Sequence, residues 1–126
     1  MDKQQVTTLV DDLYQAVDDK DIDYLDTALS VHCRFRMGNT PEVTDKAPIL
    51  EGNRQFFAGI KSMKHAIEEI VFEHTEVCGS TKICCYGTVK YERLDGSEHS
   101  AVFSTYLEIK NRLIIEYLVF ADLSGL

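Results

Sequence analysis

The chain has 126 residues, of which 44% are hydrophobic and 27% are charged. This length and composition predict one folded domain over residues 1–126 and exclude an intrinsically disordered chain. Thirteen Lys and Arg residues stand against 21 Asp and Glu residues, which gives a formal net charge of -8. A field of that sign repels nucleic acid and anionic membrane surfaces, so we expect neither as a partner.

The sequence contains no apolar run near the roughly 18 residues of a membrane span, and its first residues lack the pattern of a secretory signal. We therefore expect a cytoplasmic protein. No two cysteines have the two-residue spacing that zinc and redox sites favour, so we expect free thiols, no metal and no cofactor. The four cysteines are Cys33, Cys78, Cys84 and Cys85.

Two amphipathic helices open the chain. The first carries its apolar residues on one stripe: Val6, Leu9, Val10, Leu13 and Val17. Asp2 and Gln5 have the spacing of a capping box at its start. Asp21 is a suitable N-cap for a second, shorter helix with an apolar side at Ile22, Leu25 and Leu29.

A third helix is predicted after Gly52, with Asn53 as its cap and an apolar stripe of Phe56, Phe57, Ile60 and Met63. A start near Pro48 is the alternative. It would leave Gly52 inside the helix, which costs about 1 kcal/mol relative to Ala.

Strands account for the remaining sequence. Residues 31–37 alternate between apolar and polar side chains, which indicates a half-buried strand. From His65 onward, β-prone runs are separated by turn signals at positions 79–80, 95–96 and 111–112. Asp95 and Gly96 predict a type I′ hairpin turn, and Gly87 marks a place where a long sheet can bend. The pattern predicts an α+β domain in which three helices only partly fill the concave side of a curved antiparallel meander.

Several segments, taken in order, resemble the nuclear transport factor 2-like superfamily and, within it, the group related to SnoaL-type polyketide cyclases. The resemblance covers nearly the whole chain. It is carried by residues 35–41, by Gly52 ahead of a helix ending in Phe56 and Phe57, and by residues 63–65, 91–96 and 120–123. It implies a cone-shaped barrel, in which a curved mixed sheet wraps around three N-terminal helices and encloses a hydrophobic cavity.

The resemblance also implies a homodimer that forms through the outer face of the sheet. Residues 113–121 support it, because this last strand is apolar on both faces and only one face can line the core. Coverage of the second face within the same subunit is the alternative.

Asp122 is the first candidate for chemistry. It follows the last strand and by alternation shares a face with Leu118 and Phe120. If that face is buried, desolvation raises the pKa of the carboxyl above its usual value of about 3.9, toward the range useful for acid/base catalysis. The resemblance implies the same role, since related cyclases and epoxide hydrolases carry a catalytic Asp on the matching strand. A carboxylate that caps the strand end or pairs with Arg or Lys is the alternative.

His65 is the second candidate, because an imidazole titrates near neutral pH and could exchange protons with Asp122 or orient a ligand. A hydrogen-bonded structural histidine is the alternative. The predicted ligand pocket consists of apolar and aromatic residues: Phe35, Met37, Phe57, Ile60, Tyr91, Tyr106 and Tyr117. For the tyrosines, ordinary core or interface packing is the alternative.

Three functions fit these residues. The first is an acid/base isomerase or cyclase for a small, mostly apolar ring compound, which needs no metal or nucleophile triad. The second is a non-catalytic binding protein, and the third is a protein-interaction domain. Epoxide hydrolysis is disfavoured because Phe35 and Met37 occupy the positions that correspond to the water-binding Tyr and Asn of limonene epoxide hydrolase.

Overall fold

The computed structural model describes all 126 residues. Its helices are α1 (Lys3–Asp18), α2 (Ile22–Ala28) and α3 (Lys46–Ala58). The predicted capping box of α1 is confirmed, since Asp2 accepts from the Gln5 amide and the Gln5 side chain accepts from the Asp2 amide. Asp21 caps α2 through the Tyr24 amide, also as predicted. None of the helices has the length and apolar character needed to cross a membrane.

Both predicted ends of α3 are wrong, since the helix ends at Ala58 and Ile60 and Met63 lie on a strand instead of on its stripe. The helix begins seven residues before Asn53, so Gly52 lies inside it. Asn53 is buried instead of capping, and its side-chain amide donates to the Ile49 carbonyl at 2.9 Å. Burial of Ile49 and Leu50 against the sheet compensates for the low helix propensity of Gly52, which is a case of packing overriding local preference.

Six strands form one sheet: β1 (Leu29–Met37), β2 (Val43–Thr44), β3 (Ile60–Thr75), β4 (Ser80–Arg93), β5 (Glu98–Lys110) and β6 (Leu113–Ala121). The strand order is β2-β1-β6-β5-β4-β3. β1 and β6 are parallel and all other neighbours are antiparallel, so β3 to β6 form the predicted meander within a mixed sheet.

The sheet bends where Gly87 of β4 faces Ile67 of β3, next to a register shift on β3. A Cβ atom at position 87 would overlap the carbonyl oxygen of Ala66. Only glycine permits this close approach of two strands, which confirms the role predicted for Gly87 in curving the sheet.

The two hairpin turns that the sequence predicts on either side of β5 differ in conformation. Asp95 and Gly96 do connect β4 to β5, but only Gly96 has a positive φ, so the turn is not type I′. The β5–β6 turn does have the type I′ signature, with φ of 53° at Asn111 and 65° at Arg112.

The concave face of the sheet and the three helices enclose the hydrophobic core. From Thr81 to Tyr91 of β4 the buried and exposed residues alternate, with Ile83, Cys85 and Val89 inward and Lys82 and Lys90 outward. This alternation fixes which side chains can reach the interior. All four cysteines are free thiols, two of them buried.

Candidate active site

One end of the curved sheet holds a cavity of about 30 Å³ between α1, α3 and the strands β1, β3, β4 and β6. This volume accommodates about one water molecule, whereas pockets for drug-sized ligands measure roughly 300–1,000 Å³. The ring-sized pocket that the sequence predicts is therefore largely filled by side chains. The lining residues are Tyr14, Val17, Met37, Asn53, Phe56, Phe57, Met63, His65, Tyr91, Tyr117 and Val119.

His65 and Asp18 form the main polar contact of this site. His65 lies near the start of β3, and Asp18 is the last residue of α1. One Asp18 carboxylate oxygen is 2.6 Å from His65 Nδ1, and the other accepts from the His65 backbone amide at 3.0 Å. The two side chains are only 7% and 16% exposed. The carboxylate thus holds both the backbone and the ring of His65 in one orientation.

Aromatic rings enclose the imidazole. The ring centroids of Tyr14 and Phe103 lie 4.6 Å and 5.0 Å from that of His65, and the Tyr91 ring approaches edge to face at 6.4 Å. Rings at these distances leave little room for solvent. The interaction between Asp18 and His65 therefore acts in a low-dielectric environment, where it is stronger than at the surface.

The cavity tyrosines keep their protons at neutral pH. Burial is the main cause that raises the pKa of Tyr91 to about 12, and it raises the pKa values of Tyr14 and Tyr117 as well. The Tyr14 hydroxyl hydrogen-bonds to the buried Thr105 and to Tyr117. Each hydroxyl is therefore a hydrogen-bond donor and not a phenolate.

Several polar atoms of the site are left without a partner in the chain, among them two on the rings that face each other across it. Neither Nε2 of His65 nor the hydroxyl of Tyr91 hydrogen-bonds to another group of the chain. Since Nδ1 donates its proton to Asp18, Nε2 of the neutral ring is an acceptor. An acceptor and a donor are thus both available to a molecule in the cavity.

The opening of the cavity is defined by three half-buried apolar residues, Met37 on β1, Phe56 on α3 and Val119 on β6. The other lining residues are mostly buried. Met37 has a flexible, unbranched side chain, and Phe56 lies in the last turn of a helix. Entry of anything larger than water requires these side chains to move.

The structure does not bring Asp122 to this site. Asp122 shares a face with Leu118 and Phe120, as the alternation predicts, but Phe120 is 56% exposed and this is the outer face. β6 ends at Ala121, and the exposed Asp122 carboxylate accepts from the Ser124 hydroxyl and amide at 2.7 Å and 3.0 Å. These hydrogen bonds lower the pKa of Asp122, which is opposite to the predicted direction.

The predicted pocket residues divide into two groups. Met37, Phe57, Tyr91 and Tyr117 line the cavity with His65. Phe35 and Ile60 are buried in the core outside the lining, and Phe35 packs edge to face on Tyr117 at 5.1 Å. Tyr106 lies on the outer face opposite the exposed Cys84, so its assignment to the pocket is wrong.

Sequence reasoning missed Asp18 and Tyr14. Tyr14 lies one turn before Asp18 on α1, on the side that packs against the sheet. A search for polar residues next to the apolar stripe of an amphipathic helix would have identified both. Their partners lie 47 and 91 residues away along the chain, and no local pattern reveals them.

No protein-family model and no curated protein sequence matches the chain. Solved structures do. A nuclear transport factor 2-like protein of unknown function from Burkholderia pseudomallei has a TM-score of 0.79 at 17% identity, with 94% of this chain and 92% of that chain covered. A candidate dehydratase of the same superfamily from Streptomyces avermitilis has a TM-score of 0.84 at 9% identity, with 95% of each chain covered.

A third match is a candidate polyketide cyclase from Xanthomonas campestris, with a TM-score of 0.71 at 13% identity and coverage of 98% and 94% of the two chains. These likenesses define the architecture as an α+β cone of a curved mixed sheet around helices. The chain has the nuclear transport factor 2-like fold, and SnoaL-like proteins are among those it resembles.

Proposed function

We propose that the protein binds a small, mostly apolar molecule at the cavity and catalyses proton transfer on it, with His65 as the general base. The observation that carries this proposal is the part-buried Asp18 carboxylate, which holds His65 through two hydrogen bonds and leaves Nε2 free. A proton-transfer step of this kind requires neither a metal nor a nucleophilic residue.

Asp18 has two effects as a positioning residue. It keeps the proton of the neutral ring on Nδ1, so that Nε2 is the basic nitrogen. It also stabilises the imidazolium that forms when Nε2 accepts a proton, because the carboxylate lies 2.6 Å from Nδ1 in a nearly dry site. Replacing the carboxylate by an amide would remove both effects while keeping the size of the side chain.

Tyr91 is suited to stabilise negative charge on the substrate. Its hydroxyl stays protonated and has no partner in the chain. When Nε2 removes a proton from a carbon next to a carbonyl, the electron pair moves to the carbonyl oxygen, and Tyr91 can donate a hydrogen bond to that enolate. Return of the proton from Nε2 to a second carbon completes an isomerisation, and return to a departing hydroxyl completes a dehydration.

The small cavity limits the substrate. A ring compound fits only if Phe56 and Met37 turn outward, which would join the cavity to the solvent at its opening. Most of the lining residues are hydrophobic, which favours an apolar ligand body. The descriptions of two structural neighbours as a candidate dehydratase and a candidate polyketide cyclase agree with this class of chemistry.

Exchange of substrate protons with deuterium tests the proposal without knowledge of the product. 2-Tetralone and cyclohexanone, which both carry enolisable protons, are incubated with the protein in D2O and followed by proton NMR. We expect the wild-type protein to accelerate exchange and His65→Gln to reduce the acceleration by about 10²- to 10⁴-fold, the usual contribution of a positioned base.

His32→Gln is the matched control, because His32 is exposed and its Nδ1 contacts the exposed Asp45 carboxylate, outside the lining of the cavity. Equal exchange rates in His65→Gln and the wild type would refute the proposal that His65 is the general base. A ketone that raises the melting temperature of the wild-type protein without any exchange would favour the non-catalytic binding protein. Absence of both responses across a panel of ring compounds would favour the interaction domain.

We also propose that two copies associate through the outer face of the sheet. Tyr86, Val102 and Phe120 line one depression there, and Val102 is 76% exposed in the single chain. Large apolar side chains grouped on one face commonly mark an interface. Sedimentation velocity should give a dimer for the wild type and for Thr8→Glu on α1, and a monomer for Val102→Glu. A monomeric wild-type protein at micromolar concentration would refute the proposed dimer.

A further inference from the structure

A second, larger concavity lies at the end of the molecule opposite the cavity. It measures about 270 Å³ and is formed by the start of α1, the end of β3, the start of β4 and the β5–β6 turn. His74 in this groove lies nine positions after His65 of the cavity on β3, which corresponds to roughly 30 Å of extended strand. We call this region the distal groove.

The distal groove has an apolar base and a polar rim. Leu9 of α1 and Ile109 of β5 contribute the base, and His74, Thr81, Asn111 and Arg112 lie around it. None of its lining residues is acidic, although the chain has 21 acidic residues. A lining without carboxylates is less repulsive to an anion than most of the surface of a protein of net charge -8, although the Asp2 carboxylate accepts from the amide of the lining residue Gln5.

Arg112 is the cationic side chain of the groove. It forms no ion pair with any carboxylate of the chain, whereas Arg34 and Arg54 both do. Its backbone has a φ of 65° at the second position of a type I′ turn, where glycine is the preferred residue. The chain thus keeps a long cationic side chain at a position where a glycine would fit the turn better, and a strained backbone of this kind points to a functional use.

His74 adds a second hydrogen-bonding group. Its Nδ1 is 2.9 Å from the hydroxyl of Thr81, a residue that is only 2% exposed. When that hydroxyl donates to Nδ1, the proton of the ring lies on Nε2, which makes no hydrogen bond within the chain and can donate to an anion.

We propose that the distal groove binds a small carboxylate with an apolar body, which would be a binding site separate from the cavity. The carboxylate pairs with the guanidinium of Arg112, whose fork of donors matches two carboxylate oxygens, and accepts from His74. The apolar body lies on Leu9 and Ile109. A volume just below that of drug-sized pockets fits a ligand of this size.

Hexanoate is the probe, and hexanamide is its uncharged counterpart of the same shape. Titration of the isotope-labelled protein, followed by amide NMR shifts, should move the signals of residues 74, 81 and 109–112 with hexanoate. Hexanamide should bind at least ten times more weakly, since charge-assisted hydrogen bonds contribute more than neutral ones.

Arg112→Gly separates binding from folding. The substitution removes the guanidinium and places the preferred residue in the turn, so the variant should unfold at a higher temperature and bind hexanoate at least ten times more weakly. Lys82→Gln is the control for charge, because Lys82 is exposed on the outer face of the neighbouring β4 and forms no ion pair. It should bind hexanoate as the wild type does.

Three results would overturn the proposal. The first is hexanoate shifts that do not map to the distal groove. The second is an equal affinity for hexanoate and hexanamide, which would mean that the groove recognises only the apolar body of the ligand. The third is an equal loss of affinity in Arg112→Gly and Lys82→Gln, which would mean that hexanoate binding depends only on the net charge of the protein.

Discussion

Two carboxylates lie at the cavity end of the sheet, and their surroundings differ completely. Asp18 ends a helix, is 16% exposed and is bonded to a histidine of another element. Asp122 follows a strand, is exposed and is bonded to a serine two residues along the chain. The first carboxylate can influence a base inside the cavity, whereas the second only shapes a turn. A carboxylate therefore acquires a chemical role from the long-range packing around it, and its position at the end of a strand is not sufficient.

The sharpest test of this difference is to replace each of the two carboxylates by an amide. Asp18→Asn should lower the rate of ketone proton exchange by about 10²-fold, because the amide stabilises neither the proper tautomer nor the imidazolium. Asp122→Asn should leave the rate unchanged. The same deuterium-exchange assay measures both. A larger loss in Asp122→Asn than in Asp18→Asn would reverse the assignment of the two carboxylates.

The free energy of unfolding should also depend more strongly on Asp18 than on Asp122. Asp18→Ala removes the acceptor of two hydrogen bonds and leaves the amide and Nδ1 of His65 unpaired in a buried site, so we expect a loss of about 2–3 kcal/mol in the free energy of unfolding. Asp122→Ala should change it little, since solvent replaces the lost contacts with Ser124. Urea unfolding followed by circular dichroism measures both values. Equal losses would mean that the Asp18 contact is as solvated as that of Asp122.

The sequence predicted the fold well where local patterns determine it. The capping box at Asp2, the β-prone runs of the meander and the role of Gly87 all depend on residues close together in the chain or on strand propensity. The location of the meander and the number of helices follow from the same signals.

The face of Asp122 could not be predicted because of a bulge. Glu116 pairs with Glu108 and Ile114 pairs with Ile109, so Ile115 is an extra residue in β6. Ile114 and Tyr117 are consequently both buried although they are three residues apart. One inserted residue reverses the inward and outward sets of a strand, and β6 is apolar on both sides, so its sequence does not reveal the reversal.

Alkaline pH should lower the free energy of unfolding through ionisable groups that are buried in the interior around Asp18. Burial raises the pKa of Cys85 to about 11 and that of Tyr91 to about 12. In the unfolded chain these groups ionise near pH 9 and 10, so there the unfolded state loses its protons first and stability falls as the pH rises. Urea unfolding should give a lower free energy of unfolding at pH 11 than at pH 8. Tyr91→Phe should make this decrease less steep at its alkaline end, by at most about 1.4 kcal/mol per pH unit. An unchanged slope in Tyr91→Phe would mean that the hydroxyl is solvated.

Acid pH should produce the smallest effect, and it concerns Asp122. Hydrogen bonds from the Ser124 hydroxyl and amide lower the pKa of Asp122 in the folded state. The stabilising contribution of this carboxylate is therefore fully present above its unfolded pKa of about 3.9 and is lost as the pH falls through the lower folded value. Carbon NMR titration of the Asp122 carboxyl group should give a pKa below 3.9, and Ser124→Ala should move it upward because one of the two donors is removed. A measured pKa above 3.9 in the wild type would place this carboxyl among apolar groups, as strand alternation alone suggested, and would make Asp122 a competitor of Asp18 for the role beside the base.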